Sequence, residues 1–253
     1  MTRTPPYDLP VIPATLPLGG ALGRRELALL DAEECARIRA EVLELRPLWT
    51  SWFPGIPFYT VGAASYKDAQ TNGLAAYRQK AAELNPVLYD RFGWLLERLR
   101  AALSESFGVP FVFDDELALP GFHVFLFHES FTKPVASIHF DLQHKQLDWS
   151  KYPDADPDGQ LSLTLSIRLP SVGAGLRLWP VSFADTARMT KDELKSVIAT
   201  EPQLHEYREG SLVIHSGYQL HQIAPAAGMR ADDERITLQA HAVPAAGGYV
   251  LYW

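Results

Sequence analysis

The sequence is poor in cysteine, in long apolar runs and in excess positive charge, and each shortage excludes a class of protein. Cys35 is the single cysteine among 253 residues, so neither an intrachain disulfide nor a thiolate cluster for zinc is possible. Because cysteine pairs are absent, we expect a reducing compartment, the cytoplasm. No stretch approaches the roughly 18 consecutive apolar residues that a transmembrane helix needs. The formal net charge of −7 argues against nucleic acid or an anionic membrane as the main partner.

The first twenty residues, MTRTPPYDLPVIPATLPLGG, are rich in proline and glycine. Prolines interrupt the segment after Arg3 and leave it without an uninterrupted apolar core, so we expect it to be neither a signal peptide nor a membrane anchor. We expect it to run extended over the surface of the domain.

Two capping-box patterns predict where helices begin. The residues DAEE at 31–34 precede a run with helical spacing to about Leu45, and TKDE at 190–193 precedes a shorter run to about Ala199. We expect the second helix to be a surface insertion between strands.

Two more helices are predicted between these segments, at about residues 74–84 and 86–107. Asn85 is placed as the N-cap of the second, Pro86 occupies its first helical position, and Gly108 ends it. Apolar residues recur along this second helix at steps of three and four, which indicates a buried face.

An aromatic segment with several prolines, RPLWTSWFPGIPFYTVGAASY, lies between the first two helical regions. We interpret it as a long loop with at most one strand. Two roles remain open for its aromatic side chains: packing against the core, or forming a lid or wall of a substrate site. The side chains in question are Trp49, Trp52, Phe53, Phe58 and Tyr59.

From Val109 the apolar spacing changes to that of short strands. Eight runs follow without a helix regularly between them: FVF, FHVFLF, ASIHFD, LSLTLSIRL, GLRLWP, SLVIHS, HQIAP and ITLQAHAV. This pattern favours an antiparallel sandwich or jelly roll. We therefore predict an α+β, mainly β chain forming one domain over residues 1–253. Residues 1–108 would be a mostly helical layer with the aromatic loop, backing a cupin-like double-stranded β-helix over residues 109–253.

The run LSLTLSIRL alternates strictly between apolar and polar residues. Its leucines and Ile167 face one way, and Ser162, Thr164, Ser166 and Arg168 face the other. We expect the apolar face to meet the helices and the polar face to point into the barrel, where hydroxyl groups can contact a polar ligand.

A metal-binding pattern stands in the run ASIHFDLQH. His139 and Asp141 are two residues apart on an extended segment, so their side chains point the same way and can bind one ion. A third ligand must come from further along the chain, and His215, His221 and His241 are the candidates. Two histidines and one carboxylate that leave positions open are the ligand set of non-haem Fe(II) oxygenases.

The order HxD, distant His, then Arg resembles that of the Fe(II)/2-oxoglutarate-dependent dioxygenases, over about residues 122–243. The resemblance implies that His221 is the distal ligand, because GSLVIHSGYQLHQIAP places it after a short turn, with Pro225 four residues on. His215 would then lie on the preceding strand, as a structural residue or as a contact to a ligand or the substrate.

The resemblance also implies a site for the co-substrate. Arg235 occupies the place of the family's arginine, whose planar guanidinium binds a carboxylate in a bidentate way. Thr237 points the same way as Arg235, and we assign Thr164 to the same site. Arg230 is a competing candidate on a loop, and a surface ion pair with a neighbouring aspartate is the alternative for Arg235.

The activity implied by the resemblance is hydroxylation of a small molecule, such as an amino acid or a secondary metabolite. Fe(II), 2-oxoglutarate and O₂ would be required, and succinate and CO₂ released. Related halogenases have Gly or Ala at the position of Asp141, so halogenation is not expected. Substrate contacts are predicted for Trp52, His123, Arg177 and His215, and Arg168 is a further candidate for binding a carboxylate.

Two alternatives to this function remain open. A cupin-like metal enzyme that does not use 2-oxoglutarate would share the barrel and the triad, but it would not need Arg235. A barrel that binds a ligand without turnover would have no need for all three metal ligands. The sequence predicts neither a nucleic-acid nor a membrane partner, and it leaves the oligomeric state open.

Overall fold

The computed structural model describes Leu18, residues 22–134 and residues 136–253. The expectation of an extended N-terminal segment lies outside the described residues, except for Leu18. No helix in these ranges is both long enough and apolar enough to cross a bilayer.

The described part of the chain contains twelve strands. In chain order they are β1 (Arg24–Ala28), β2 (Thr50–Phe53), β3 (Ile56–Val61), β4 (Phe111–Phe113), β5 (Gly121–Leu126), β6 (Leu161–Arg168), β7 (Gly175–Ser182), β8 (Gln203–Glu206), β9 (Ser211–Ser216), β10 (Gln219–Ile223), β11 (Glu234–Ala245) and β12 (Gly248–Tyr252). The larger sheet has the order β1-β9-β6-β11-β5-β3-β2, with β12 pairing to β11 and β4, and the smaller has the order β10-β7-β8. The ladders are antiparallel except that between β4 and β12. The predicted mainly β, largely antiparallel architecture is confirmed.

The helices are α1 (Ala32–Glu44), α2 (Ser65–Asn72), α3 (Leu74–Phe107), α4 (Phe183–Thr186) and α5 (Lys191–Ile198). Asp31 and Glu34 form the predicted capping box in front of α1, and Thr190 forms the other in front of α5. Both predictions are confirmed because a capping box is a local interaction that a short sequence can specify.

The prediction of two helices over residues 74–107 is wrong, because α3 is a single helix of 34 residues with Pro86 in its interior. A proline there removes a backbone hydrogen bond and crowds the preceding turn. Burial of α3 on both sides of the proline offsets that cost: Tyr77 and Ala81 pack in a second hydrophobic cluster, and the residues from Leu88 onwards pack in the main core. Asn85 is not an N-cap: its side chain donates to the Leu117 carbonyl at 2.9 Å and accepts from the Leu119 amide at 3.0 Å.

The aromatic segment is a hairpin of β2 and β3 rather than a long loop. Gly55 adopts φ +77° in the turn, a conformation that glycine adopts without strain. The hairpin tolerates its prolines because Pro54 lies in the turn and Pro57 precedes Phe58, the first residue of β3 that pairs with β5.

The main core lies between the larger sheet and the helices α1 and α3. The leucines of β6 and Ile167 pack into this core, as predicted. On the opposite face of β6, Ser162, Thr164 and Ser166 are also buried, because the smaller sheet covers that side. There Leu176 and Leu178 of β7 pack against Val213 and Tyr207. A polar interior is therefore enclosed between the two sheets.

Candidate metal centre

A pair of backbone hydrogen bonds joins His139 and His221, the two histidines of the predicted metal motif. The amide of His139 donates to the carbonyl of His221 at 2.9 Å, and the amide of His221 donates to the carbonyl of His139 at 3.0 Å. The run ASIHFD is thus not the predicted strand but an extended segment with one isolated bridge. Extended alternation still directs the side chains of His139 and Asp141 to the same side, next to His221.

The structure brings His139, Asp141 and His221 together. One ligand atom from each lies within 4.8 Å of the others. The Nε2 atom of His139 is 3.5 Å from one carboxylate oxygen of Asp141, and the Nε2 atom of His221 is 3.4 Å from the other. His221 and Asp141 are buried, whereas His139 is partly exposed. The cluster therefore lies at the border between the enclosed interior and the surface.

The hydrogen bonds of the two imidazoles set which nitrogen faces the cluster. His139 donates from Nδ1 to the Ser137 carbonyl at 2.8 Å, and His221 donates from Nδ1 to the Gln219 carbonyl at 2.7 Å. Because a carbonyl only accepts, Nδ1 carries the proton in each neutral ring, and the Nε2 lone pair points at Asp141. Burial raises the pKa of Asp141, but positive charge at the neighbouring His221 and His139 rings, the role that a bound cation would take, holds it well below the usual value. Two neutral nitrogens and an anionic oxygen fit a divalent transition metal.

The Asp141 carboxylate has further partners that the sequence did not reveal. Gln143 donates to Oδ1 at 2.8 Å, and Ser162 donates to Oδ2 at 2.5 Å. Gln160 donates to the backbone carbonyl of Asp141 at 2.7 Å. The alternation in β6 predicted that Ser162 faces the interior. No sequence pattern indicated that Gln160, just before that strand, contacts Asp141.

The other two candidate distal histidines lie close by without joining the cluster. The ring of His215 packs edge-on against that of His221, with centroids 4.9 Å apart. His241 instead contacts the Ser162 hydroxyl at 3.2 Å. Burial lowers the pKa of His215 to about 3 and that of His241 to about 4. Both rings are therefore neutral polar groups of the interior.

Arg235 is a buried cation on β11, with 5% of its surface exposed. Among the described residues it has no ion-pair partner, and its Nε has no hydrogen-bond acceptor. The guanidinium lies over the rings of Tyr207 and Phe125, at 5.4 and 5.7 Å from their centroids. The alternative of a surface ion pair is wrong for Asp233, whose carboxylate accepts from Ser171 and from the backbone of Arg230.

The interior near Arg235 carries a row of polar side chains. Thr60, His123 and Thr237 are neighbours across β3, β5 and β11 and share one face of the sheet. The Thr60 hydroxyl and the Nδ1 atom of His123 are buried without a partner in the described part of the chain. A buried polar atom without a partner is costly, so these atoms, with Arg235, suit a polar anionic ligand.

Thr237 and Thr164 are joined by Gln239. The amide of Gln239 donates to the Thr237 hydroxyl at 2.8 Å, and its carbonyl accepts from Thr164 at 3.1 Å. Thr164 also lies near Tyr207, one of the two rings beneath the guanidinium. Both predicted threonines thus lie in the same polar interior as the arginine.

The aromatic side chains of the hairpin take both roles left open by the sequence, packing on the core and lining the interior. Trp49 donates to the Val42 carbonyl at 3.1 Å and packs on the helical core. Trp52 faces the interior, stacked on Phe58 at 4.9 Å and edge-on to His123 at 6.2 Å. Trp52 and His123 therefore lie on the same wall of the interior, as their predicted role requires.

The two remaining arginine candidates do not reach the interior. Leu176 and Leu178 face inwards, so strand alternation directs Arg177 to the opposite face of β7, where it lies 3.5 Å from Gln222. Arg168, at the end of β6, is partly exposed beside Glu209. The structure therefore brings neither arginine into the interior: Arg177 faces away from it, and Arg168 extends to the surface.

Comparison with known proteins reveals a likeness of structure only. No protein-family model matches the chain, and no curated protein matches it.

Two solved structures share its fold at a TM-score of 0.51 each. One is the non-haem, α-ketoglutarate-dependent epimerase SnoN from nogalamycin biosynthesis, at 17% identity over 89% of this chain and 79% of SnoN. The other is an N-substituted L-amino acid dioxygenase from Burkholderia ambifaria AMMD in complex with α-ketoglutarate, at 14% identity over 91% of this chain and 86% of that one. The resemblance indicated by the order HxD, His, Arg is thus confirmed at the level of structure: the chain has the fold of the Fe/2-oxoglutarate-dependent oxygenases.

Proposed function

We propose that this protein is an Fe(II)- and 2-oxoglutarate-dependent oxygenase that hydroxylates a small molecule. The observation that carries the proposal is that a His-Asp-His cluster and a buried arginine share one enclosed polar interior, and that the arginine has no ion-pair partner among the described residues. The cluster would hold the metal ion, and the arginine would bind a carboxylate of 2-oxoglutarate.

We further propose that the two sheets are the halves of a double-stranded β-helix within one domain over residues 1–253. The support for this is the bridge between His139 and His221 together with the apolar contacts from β7 to the interior face of the larger sheet. In such a barrel the metal ligands lie at one end of the interior and Arg235 lies deeper along β11.

His139, Asp141 and His221 would hold Fe(II) through two imidazole Nε2 atoms and the carboxylate. Both Nδ1 atoms are already committed to backbone carbonyls, so the rings need not reorient to bind. When bound, Fe(II) supplies the site at which O₂ oxidises 2-oxoglutarate to succinate and CO₂, with the second oxygen atom passing to a C–H bond of the substrate. The residues of the chain orient the reactants and limit the access of water.

Arg235 would bind the distal carboxylate of 2-oxoglutarate, with Thr237 and Thr164 beside it. Desolvating a guanidinium without a counter-ion is unfavourable, and an anionic ligand would compensate for that cost. This observation favours a 2-oxoglutarate-dependent enzyme over a cupin-like metal enzyme, in which a buried unpaired arginine has no purpose.

The substrate would lie against the wall formed by Trp52 and His123, with His215, which packs against His221, as a further contact. Stacked aromatic rings favour a small and partly apolar molecule, such as an amino acid derivative or a secondary metabolite. One of the two similar structures is an epimerase, so the outcome at the C–H bond is the part of the proposal that most needs measurement. We expect the protein in the cytoplasm, given its single cysteine.

The proposal is tested by incubating the purified protein aerobically with Fe(II), ascorbate and isotopically labelled 2-oxoglutarate, and measuring labelled succinate. We expect slow succinate formation without substrate, faster formation with a substrate, and none for Asp141→Ala. The matched control is Asp192→Ala, which changes an exposed aspartate on α5 and should behave as the wild type. Succinate formation that persists in Asp141→Ala, or none in the wild type, would overturn the proposal.

A further inference from the structure

We propose that Ser162 and His241 position the Asp141 carboxylate for metal binding, through two hydrogen bonds arranged in series. The inference rests on the proposed function, and it adds two positioning residues outside the predicted ligand set. His241 thereby gains a role other than that of an alternative metal ligand.

The directions of the two hydrogen bonds follow from the carboxylate. An ionised carboxylate only accepts, so the Ser162 hydroxyl donates its single proton to Oδ2, at 2.5 Å. The Ser162 oxygen can then only accept from His241, whose Nδ1 lies 3.2 Å away. The proton of the neutral His241 ring is therefore on Nδ1, and both residues point their donors towards Asp141.

The positions of both residues are set by the sheet rather than by a loop. Ser162 on β6 and His241 on β11 are direct cross-strand neighbours, with their side chains on the interior face. Both are buried, at 3% and 6% exposure. A side chain fixed on paired strands places its hydrogen bonds more accurately than one on a loop.

The serine acts together with a donor on the other carboxylate oxygen. Gln143 donates to Oδ1 at 2.8 Å, so each oxygen of Asp141 accepts one hydrogen bond and keeps acceptor capacity for a metal. Two donors at opposite oxygens fix the rotation of the carboxylate plane. Loss of either donor should leave the charge in place but allow the plane to turn, which weakens metal binding without removing a ligand.

The test is the affinity of the metal-free protein for Mn(II) and Co(II), measured by calorimetry. Losing a hydrogen bond to a metal-binding carboxylate typically costs 10–100-fold in affinity, so Ser162→Ala should raise the Kd by roughly that factor. Ser162→Thr, which keeps the hydroxyl, should restore most of the affinity. The matched control is Ser166→Ala, two positions further along the same face of β6, whose hydroxyl is buried without a partner among the described residues and which should leave the Kd unchanged.

A double-mutant cycle tests the serial arrangement. If His241 acts through Ser162, His241→Leu should weaken metal binding in the wild type but change little in the Ser162→Ala background. The visible absorption of the Co(II) protein should change shape in both single variants, because the geometry of the carboxylate changes. Equal effects of His241→Leu in both backgrounds would refute the serial arrangement.

The outcomes separate the two proposals. A wild-type protein that binds neither Mn(II) nor Co(II) would overturn the proposed function. A wild-type protein that binds them while Ser162→Ala and Ser166→Ala have the same Kd would overturn the positioning role alone. If Ser162→Ala fails to fold, Ser162→Thr and His241→Leu still decide the question, since the inference requires the first to bind like the wild type and the second to bind more weakly.

Discussion

Replacing Arg235 with methionine should weaken 2-oxoglutarate binding and, at the same time, leave the metal-free protein as stable or more stable. Methionine is long and apolar, so it can fill the space between Phe125 and Tyr207 that the arginine side chain now occupies. The substitution removes a cation that is 5% exposed and has no ion-pair partner among the described residues.

The two magnitudes follow from general energetics. A hydrogen bond to a charged group contributes about 1.5–3 kcal/mol, and losing about 3 kcal/mol from a bidentate contact raises a Kd roughly 150-fold. Replacing buried ionic groups by well-packed apolar ones is often neutral or stabilising by about 1–4 kcal/mol. For a chain of this size, each kcal/mol raises Tm by roughly 2–4 °C.

Calorimetric titration of 2-oxoglutarate into the Mn(II)-loaded protein measures the first effect, and thermal unfolding of the metal-free protein measures the second. Arg168→Met is the matched control, because Arg168 is partly exposed beside Glu209 and should leave the Kd unchanged. If Arg235→Met binds 2-oxoglutarate as tightly as the wild type, the arginine does not hold the co-substrate. If its Tm falls by many degrees, the guanidinium is instead a structural element of the fold.

Three more substitutions test other parts of the site. Gly217→Ala should raise the Kd for Mn(II) about 10-fold or more, because the new Cβ would lie 2.4 Å from the Gln160 amide nitrogen and 3.0 Å from the Asp141 Cβ. The control is Gly93→Ala, whose Cβ would make only ordinary contacts. An unchanged Kd in Gly217→Ala would contradict the close packing. Burial, with a contribution from Arg235, lowers the pKa of His123 to about 3. Between about pH 6.5 and pH 3 this histidine therefore binds a proton only in the unfolded state. The free energy of unfolding should fall by about 1.4 kcal/mol for each unit that the pH decreases in this range. His123→Phe should reduce the slope of the unfolding free energy against pH by that amount in urea denaturation between pH 6 and 4, and an unchanged slope would show that His123 titrates normally. Trp52→Ala should raise the KM for substrate while succinate formation without substrate persists, and equal losses in both rates would instead indicate a structural role for the indole.

The parts of the site that the sequence predicted are those encoded by short spacings. His139 and Asp141 are two residues apart, and extended backbone alone directs both to one side. The interior position of Ser162 and Thr164 also followed from strict alternation in β6. Such features need no knowledge of how distant segments pack.

Features that depend on distant contacts could not be predicted in the same way. Pro86 looks like a helix start, yet α3 continues through it because two hydrophobic clusters bury the helix before and after the proline. Gln160 and Gly217 support Asp141 from separate elements, and neither stands in a recognisable motif. Arg177 was misassigned because the sequence does not reveal which face of β7 turns inwards; burial of Leu176 and Leu178 decides it.

The central claim is that one interior binds both Fe(II) and 2-oxoglutarate, through the His-Asp-His cluster and Arg235. Its most direct test is anaerobic addition of Fe(II) and then 2-oxoglutarate to the metal-free protein, followed by visible absorption. We expect a weak charge-transfer band that requires both additions, because it arises only when the keto acid binds the protein-bound metal. The band should be absent in His221→Ala and should need far more 2-oxoglutarate in Arg235→Met. A wild-type protein that gives no band, or a band of equal strength in His221→Ala, would contradict the claim.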